Sequence, residues 1–322
     1  MSALVAAALL TLQTPVVADH PRLRILAAAE QAARSDYLTL LRTEVRALRE
    51  VKAMMDADEL KTANDFYAAG GLLFNVPAYE GRLLVHEFTM TALFLGSKEA
   101  GKRARLSWDM LQRGGGHPTR FGAMFGRPSK DGKRSILDPD PDGPPPIIGQ
   151  VLDGTAPAPG TDSAELKALM EADQKDRQNL QTEADWDRMA LNDGPRRARV
   201  LTILKDGKAS TGADLYNAAL VLQHGEGYRD FMLAHELCLG AIARGYGEAA
   251  WLVSRTYDRM LENGGHAQRY ATQKMGGKDG KVFYIVNVDL PGPSDTMRSL
   301  LKSPSRAEAK KGYDDWLASV GS

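Results

Sequence analysis

The chain has 322 residues, 43% of them hydrophobic, which is enough to bury one large core and, at this length, more readily two domains. Lysine plus arginine and aspartate plus glutamate both number 41, so the formal net charge is zero, which excludes an overall basic field for nucleic acid and an acidic, disordered composition. The single cysteine, Cys238, excludes an internal disulfide. In chain order, residues 1–18 open with an apolar run from Ala3 to Leu12 followed by Val16, Val17 and Ala18. They read as a secretory signal peptide, although no Lys or Arg precedes the run. The mature chain is then expected to start at Asp19 and to be periplasmic or secreted, with a cytoplasmic protein as the alternative. The remaining segments are too short or too polar to span a bilayer.

Residues 19–137 read as a first helical module. Its opening part suggests two helices divided near Ser35 and Asp36. Residues 138–160 carry seven of the 16 prolines and read as a linker or surface strap without a packed helix. Residues 161–322 read as a second helical module. Asp162 is expected to cap its first helix; helices follow to about Met189 and from about Pro195 to Lys205. A helix begins after Thr211, which with Asp214 forms a capping signal. Asp230 is expected to cap the next, with Gly245 as its left-handed stop, and a third runs from about Glu248 to Glu262. A last amphipathic helix, Ser305 to Val320, is expected to pack Tyr313, Trp316 and Leu317 on the body.

Sliding the chain over itself by 149 residues lays Thr62–Arg120 on Thr211–Arg269 without a gap, with 18 identities in 59 positions. Beyond the helices, Asp131-Gly132 and Asp279-Gly280, one position out of step, lie between β-favouring runs and signal turns. The fold expected is therefore mainly α, a tandem duplication of a helical module with each copy ending in a small β-hairpin.

Asp230, Ala234, Ala241, Gly245, Ala249 and Tyr257 are placed as in Sel1-like repeats, the tetratricopeptide-related helical hairpins, which the second module resembles over little more than one repeat. Gln223-His224, Ala234-His235, Asp258-Arg259 and Gln268-x-Tyr270-x-Thr272-Gln273 resemble an uncharacterised bacterial family, domain of unknown function 6624, whose members end this region in Q-x-Y-G-T-Q. Ala271 stands where that pattern has Gly. The resemblance implies a scaffold and brings no activity with it.

The chemistry is expected where the second copy departs from the first. Gln223-His224 faces Phe74-Asn75, Arg259 faces Met110, Gln268 faces Thr119, and Thr272-Gln273 faces Ala123-Met124. Polar groups that a core does not need are expensive to bury, so their concentration in one copy suggests a pocket, the alternative being a satisfied network that braces the fold. In a pocket, Arg259 would bind an anion, and Gln223, Gln268, Tyr270, Thr272 and Gln273 would bond a polar ligand. His235, shared with His86 of the first copy, reads either as a packed histidine or as a site residue. No metal or other cofactor is expected: no H-E-x-x-H and no Asp-rich loop accompanies these residues. The preferred function is binding of a peptide, glycan or protein partner. The alternative is a hydrolase-type enzyme in which His224 and His235 act as acid and base, oriented by Asp258 and assisted by Arg259.

Overall fold

The computed structural model describes residues 19–76, 78–126, 133–178, 180–276 and 283–320. The expected signal peptide and both Asp-Gly turns lie outside the described residues. The described chain is mainly helical, with thirteen helices, and divides into two compact units at Pro144/Pro145.

The first unit holds α1 (Pro21–Ala33), α2 (Tyr37–Asp56), α3 (Ala63–Leu72), α4 (Tyr79–Phe94) and α5 (Lys98–Gly114). Asp36 caps α2, its carboxylate accepting from the Leu38 and Thr39 N–H groups, which divides α1 from α2 where the sequence suggested. A capping box starts α3: the Asp65 N–H donates to Thr62 Oγ1, while Asp65 Oδ2 accepts from the Thr62 N–H. Its other oxygen, Oδ1, accepts from the His20 N–H at 2.7 Å and thereby ties the start of α1 to α3. From Leu83 to Leu93, α4 is buried on every face, as a helix must be when neighbours surround it. It packs between α3 and α5, where Phe66 stacks on Phe88 and Trp108 is fully buried.

The second unit holds α6 (Pro146–Asp153), α7 (Ala164–Arg177), α8 (Glu183–Lys205), α9 (Gly212–Leu222), α10 (Tyr228–Ala243) and α11 (Ala249–Asn263). The strands β1 (Lys274–Gly276) and β2 (Phe283–Ile285), then α12 (Asp295–Leu300) and α13 (Arg306–Val320), complete it. Thr211 and Asp214 form the capping box of α9, and Asp214 Oδ1 accepts from the Ser163 N–H at 2.7 Å, the counterpart of the Asp65 to His20 tie. The central helix here is α10, buried from Ala234 to Ile242 and packed against α6, α9 and α11. Gly245 ends the helix in the left-handed conformation, at φ +80°. β1 pairs antiparallel with β2, Lys274 opposite Ile285. In the first unit a bridge joins Phe125 to Ile136 antiparallel, so both pairs sit 149 positions apart and the turn's slip of one residue is recovered on its far side.

Five expectations are corrected. The Pro-rich stretch does contain a packed helix: Pro146 occupies the first turn of α6, where a missing N–H does no harm, and Ile148, Val151 and Leu152 are buried, Ile148 lying against Gly240. Ser163, not Asp162, caps α7, accepting from the Leu166 N–H. Asp230 is not a cap; it lies inside the first turn of α10, accepts from the Glu226 N–H and faces Arg197. Pro195 sits inside α8 instead of starting a helix, because ion pairs on both sides, Asp193 to Arg177 and Arg196 to Asp176, each at 2.6 Å, fasten the helix to α7. The last helix packs through Ala309, fully buried, and through Gly312 against Ile285, while Leu317 is exposed and Tyr313 and Trp316 lie against each other.

Candidate functional site

Asp258, on α11, is a structural clamp. Its buried carboxylate accepts the backbone N–H groups of Arg269, Tyr270 and Thr272 and the Thr272 hydroxyl, at 2.7 to 3.0 Å. Burial pushes its pKa up against the pull of these donors. Asp109 does the same in the first unit for the N–H groups of Arg120, Phe121 and Ala123. Each clamp shapes the loop after the helix into a turn with one left-handed residue, Gly122 at φ +61° and Ala271 at φ +59°. Arg298, fully buried, holds the second loop from its other side: its guanidinium donates to the carbonyls of Arg269, Tyr270, Pro291, Pro293 and Pro304.

His235 is also inside the packing. It is fully buried on α10, Nδ1 donates to the Val253 carbonyl at 3.0 Å, and its ring lies 5.3 Å from that of Tyr257. Burial pulls its pKa down to about 3, far from what proton transfer near neutrality requires. His86 has the corresponding place in the first unit, against Ser107 and Trp108. Tyr270 is fully buried too, its ring edge-on to Tyr257 at 6.3 Å.

The rest of the predicted set gathers around Arg259. Gln268 explains the last motif: its amide donates to the Val286 carbonyl at 2.7 Å and brackets Gln273, accepting the Gln273 N–H and donating to the Gln273 carbonyl. Thr119 of the first unit donates to the matching carbonyl, Leu137, but is too short to reach a second segment. So held, Gln273 presents Oε1 to Arg259 Nε at 2.8 Å, while Arg259 Nη1 donates to the Gln223 carbonyl at the end of α9. The Arg259 Nη2 group makes no hydrogen bond among the described residues, and none of their carboxylates lies within ion-pair distance of this half-buried guanidinium.

His224 lies just past α9, and its Nδ1 is 2.9 Å from Asp173 Oδ2. Burial pulls its pKa down, opposed by Asp173 and reinforced by Arg177 and Arg259. The ring is therefore neutral with Nδ1–H donating a hydrogen bond to the Asp173 carboxylate, and Nε2 keeps a lone pair. Asp173 is buried and also takes Arg177, which continues to Asp193 at 2.6 Å. Glu262, half-buried one turn beyond Asp258, is pushed up to about 7 by burial with the Asp258 charge adding. His224 and His235 share no partner and no hydrogen bond among the described residues.

Asp173, Arg177 and Glu262 were missed by the sequence reading. The signal for the first two was an acid and an arginine four apart on a helix, repeated as Glu30 and Arg34, an ion pair of 3.1 Å. The 149-residue shift hides this match: it lays Glu44 on Asp193 but carries Glu30 six residues past Asp173. No protein family, curated protein or solved structure matches the chain.

Proposed function

We propose that the chain is a tandem duplication of a Sel1-like, tetratricopeptide-like module, each copy closed by a short β-pair, and that its second module binds a peptide, glycan or protein partner around Arg259. One observation carries the reading: Arg259 replaces the buried Met110 of the first unit, and its guanidinium is held by neutral groups alone, with Nη2 left for a ligand. An arginine fixed along one edge is ready to bond along the other at little entropic cost. Gln223, Gln273 and His224 surround it. The duplication is supported by paired capping boxes, paired aspartate clamps and strand bridges in one register. The likeness to domain of unknown function 6624 and the export of the chain belong to the same proposal. No described helix is long and apolar enough to cross a membrane.

The test is a thermal-shift screen of the chain from Asp19 with peptides, sugars and cell-wall fragments, since a ligand of the native state raises the melting temperature. A shift that disappears in His224→Ala and Arg259→Ala supports the reading; shifts indifferent to both variants refute it. The Asp173–His224 contact favours a second reading, a hydrolase-type enzyme in which His224 Nε2 acts as base with Asp173 orienting the ring. In that case His224→Ala removes turnover while ligand binding persists.

A further inference from the structure

We propose that the ligand group held by Arg259 is a single carboxylate. The inference rests on the binding reading above and names its chemistry. The Nε edge of the guanidinium is closed by Gln273 Oε1, and Nη1 already donates to the Gln223 carbonyl. What remains is Nη2, which makes no hydrogen bond among the described residues, beside Nη1, with one hydrogen bond made and a second hydrogen to give. Two such neighbouring nitrogens suit the two oxygens of a planar carboxylate.

The surrounding charges set the number. Arg177 adds to the positive potential at Arg259, but its Nη1 and Nη2 groups are engaged by Asp173 and Asp193. Glu262, three residues on along the same helix, offsets part of that potential. One open cation next to a half-buried acid matches one negative charge and disfavours a phosphate dianion, which would meet Glu262 without a second free arginine. The neighbouring groups suit the rest of such a ligand: the neutral His224 ring offers an acceptor at Nε2, and no second cation is needed to hold an amide or a hydroxyl. In the first unit Met110 and Met124 stand in place of Arg259 and Gln273, so that unit lacks both the fork and its brace.

The experiment titrates the chain from Asp19 at constant ionic strength and neutral pH, following melting temperature and heat of binding. The probes are N-acetyl-alanyl-alanine, the same dipeptide with a C-terminal amide, galacturonate, galactose and inorganic phosphate. The expected result is that at least one carboxylate probe binds and its neutral partner does not, and that Arg259→Met weakens it at least tenfold, a loss of about 1.4 kcal/mol. The dipeptide and galacturonate arms distinguish a peptide terminus from an acidic sugar. Arg259→Lys, which keeps the charge and loses the fork, is expected to fall between the two and serves if the Met variant does not fold. Equal binding of acid and amide, tighter binding of phosphate, or undiminished binding by Arg259→Met overturns the carboxylate while leaving a binding module in place. Silence of every carboxylate up to roughly 10 mM also overturns it, and the wider screen with neutral ligands then decides the binding reading separately.

Discussion

Two regions of the molecule carry the same framework of polar groups with different chemistry. In the first unit Glu30 pairs with Arg34, while Glu44 accepts from the Asn75 amide at 2.8 Å and is raised by its burial and by the charge of Glu30. In the second unit Asp173 pairs with Arg177, Arg177 with Asp193, and His224 stands where Asn75 does. The first set joins two carboxylates to an arginine and an amide. The second adds a ring able to move a proton, an arginine, Arg259, without a carboxylate partner, and an acid, Glu262, tuned to about 7. The difference teaches that the groups shared by the two units act as packing and ties, and that the proposed binding site rests on those found in the second unit alone.

The comparison breaks most visibly at the clamps. Asp258→Ala strands three backbone N–H groups and is expected to destabilise the second unit by about 3 kcal/mol, with Asp109→Ala doing the same in the first. Urea unfolding of each variant checks this, and a clearly smaller loss at Asp258 would mean that Arg298 holds the loop unaided. Gly122→Ala forces a side chain to φ +61° with its Cβ 3.1 Å from Ile136, at an expected cost of about 1 kcal/mol.

Two substitutions sharpen the comparison through pH. The folded state favours protonated Glu262, so its contribution is present below the ordinary 4.5 and is lost as pH rises through about 7. Glu262→Gln should remove that loss, a gain of about 1 kcal/mol at pH 8 after allowance for solvent screening of a half-exposed group. His224 has the opposite sign: its folded pKa lies below 6.5, so stability is full above 6.5 and falls as pH drops below it. His224→Asn, which installs the residue of the first unit, is expected to flatten that acidic decline, read from melts across pH 5 to 8. The smallest effect is expected at Ala271→Gly. Relief of the left-handed strain at φ +59° and the loss of a methyl buried beside Ile285 and Ala309 are each worth about 1 kcal/mol and oppose one another.

Much of this framework could be read from the residues alone. The helices from Thr211 to Asn263, the capping box and the positive φ at Gly245 follow from local rules, because a cap or a stop is decided within one turn. Gln268 and Gln273 were recognised as unusual, but their partners are carbonyls brought in by the chain's return past Val286, which no local pattern records. Helix α6 escaped notice because it starts on the last of three consecutive prolines, although Ile148, Val151 and Leu152 have helical spacing. Asp173 reads as one of many solvated acids until α7 packs against α9 and buries it.

Arg298 has a consequence for how this region tolerates change. All five of its acceptors are main-chain carbonyls, which every amino acid supplies alike. Positions 269, 291, 293 and 304 supply their acceptors whatever their identity, so long as the chain keeps its path, while Tyr270 also faces the guanidinium with its ring. Position 298 has no such freedom, since no other side chain offers that many donors from one point, and a neighbour cannot compensate for its loss because the partners are not side chains. A saturation scan should accordingly find position 298 intolerant of every replacement, lysine included.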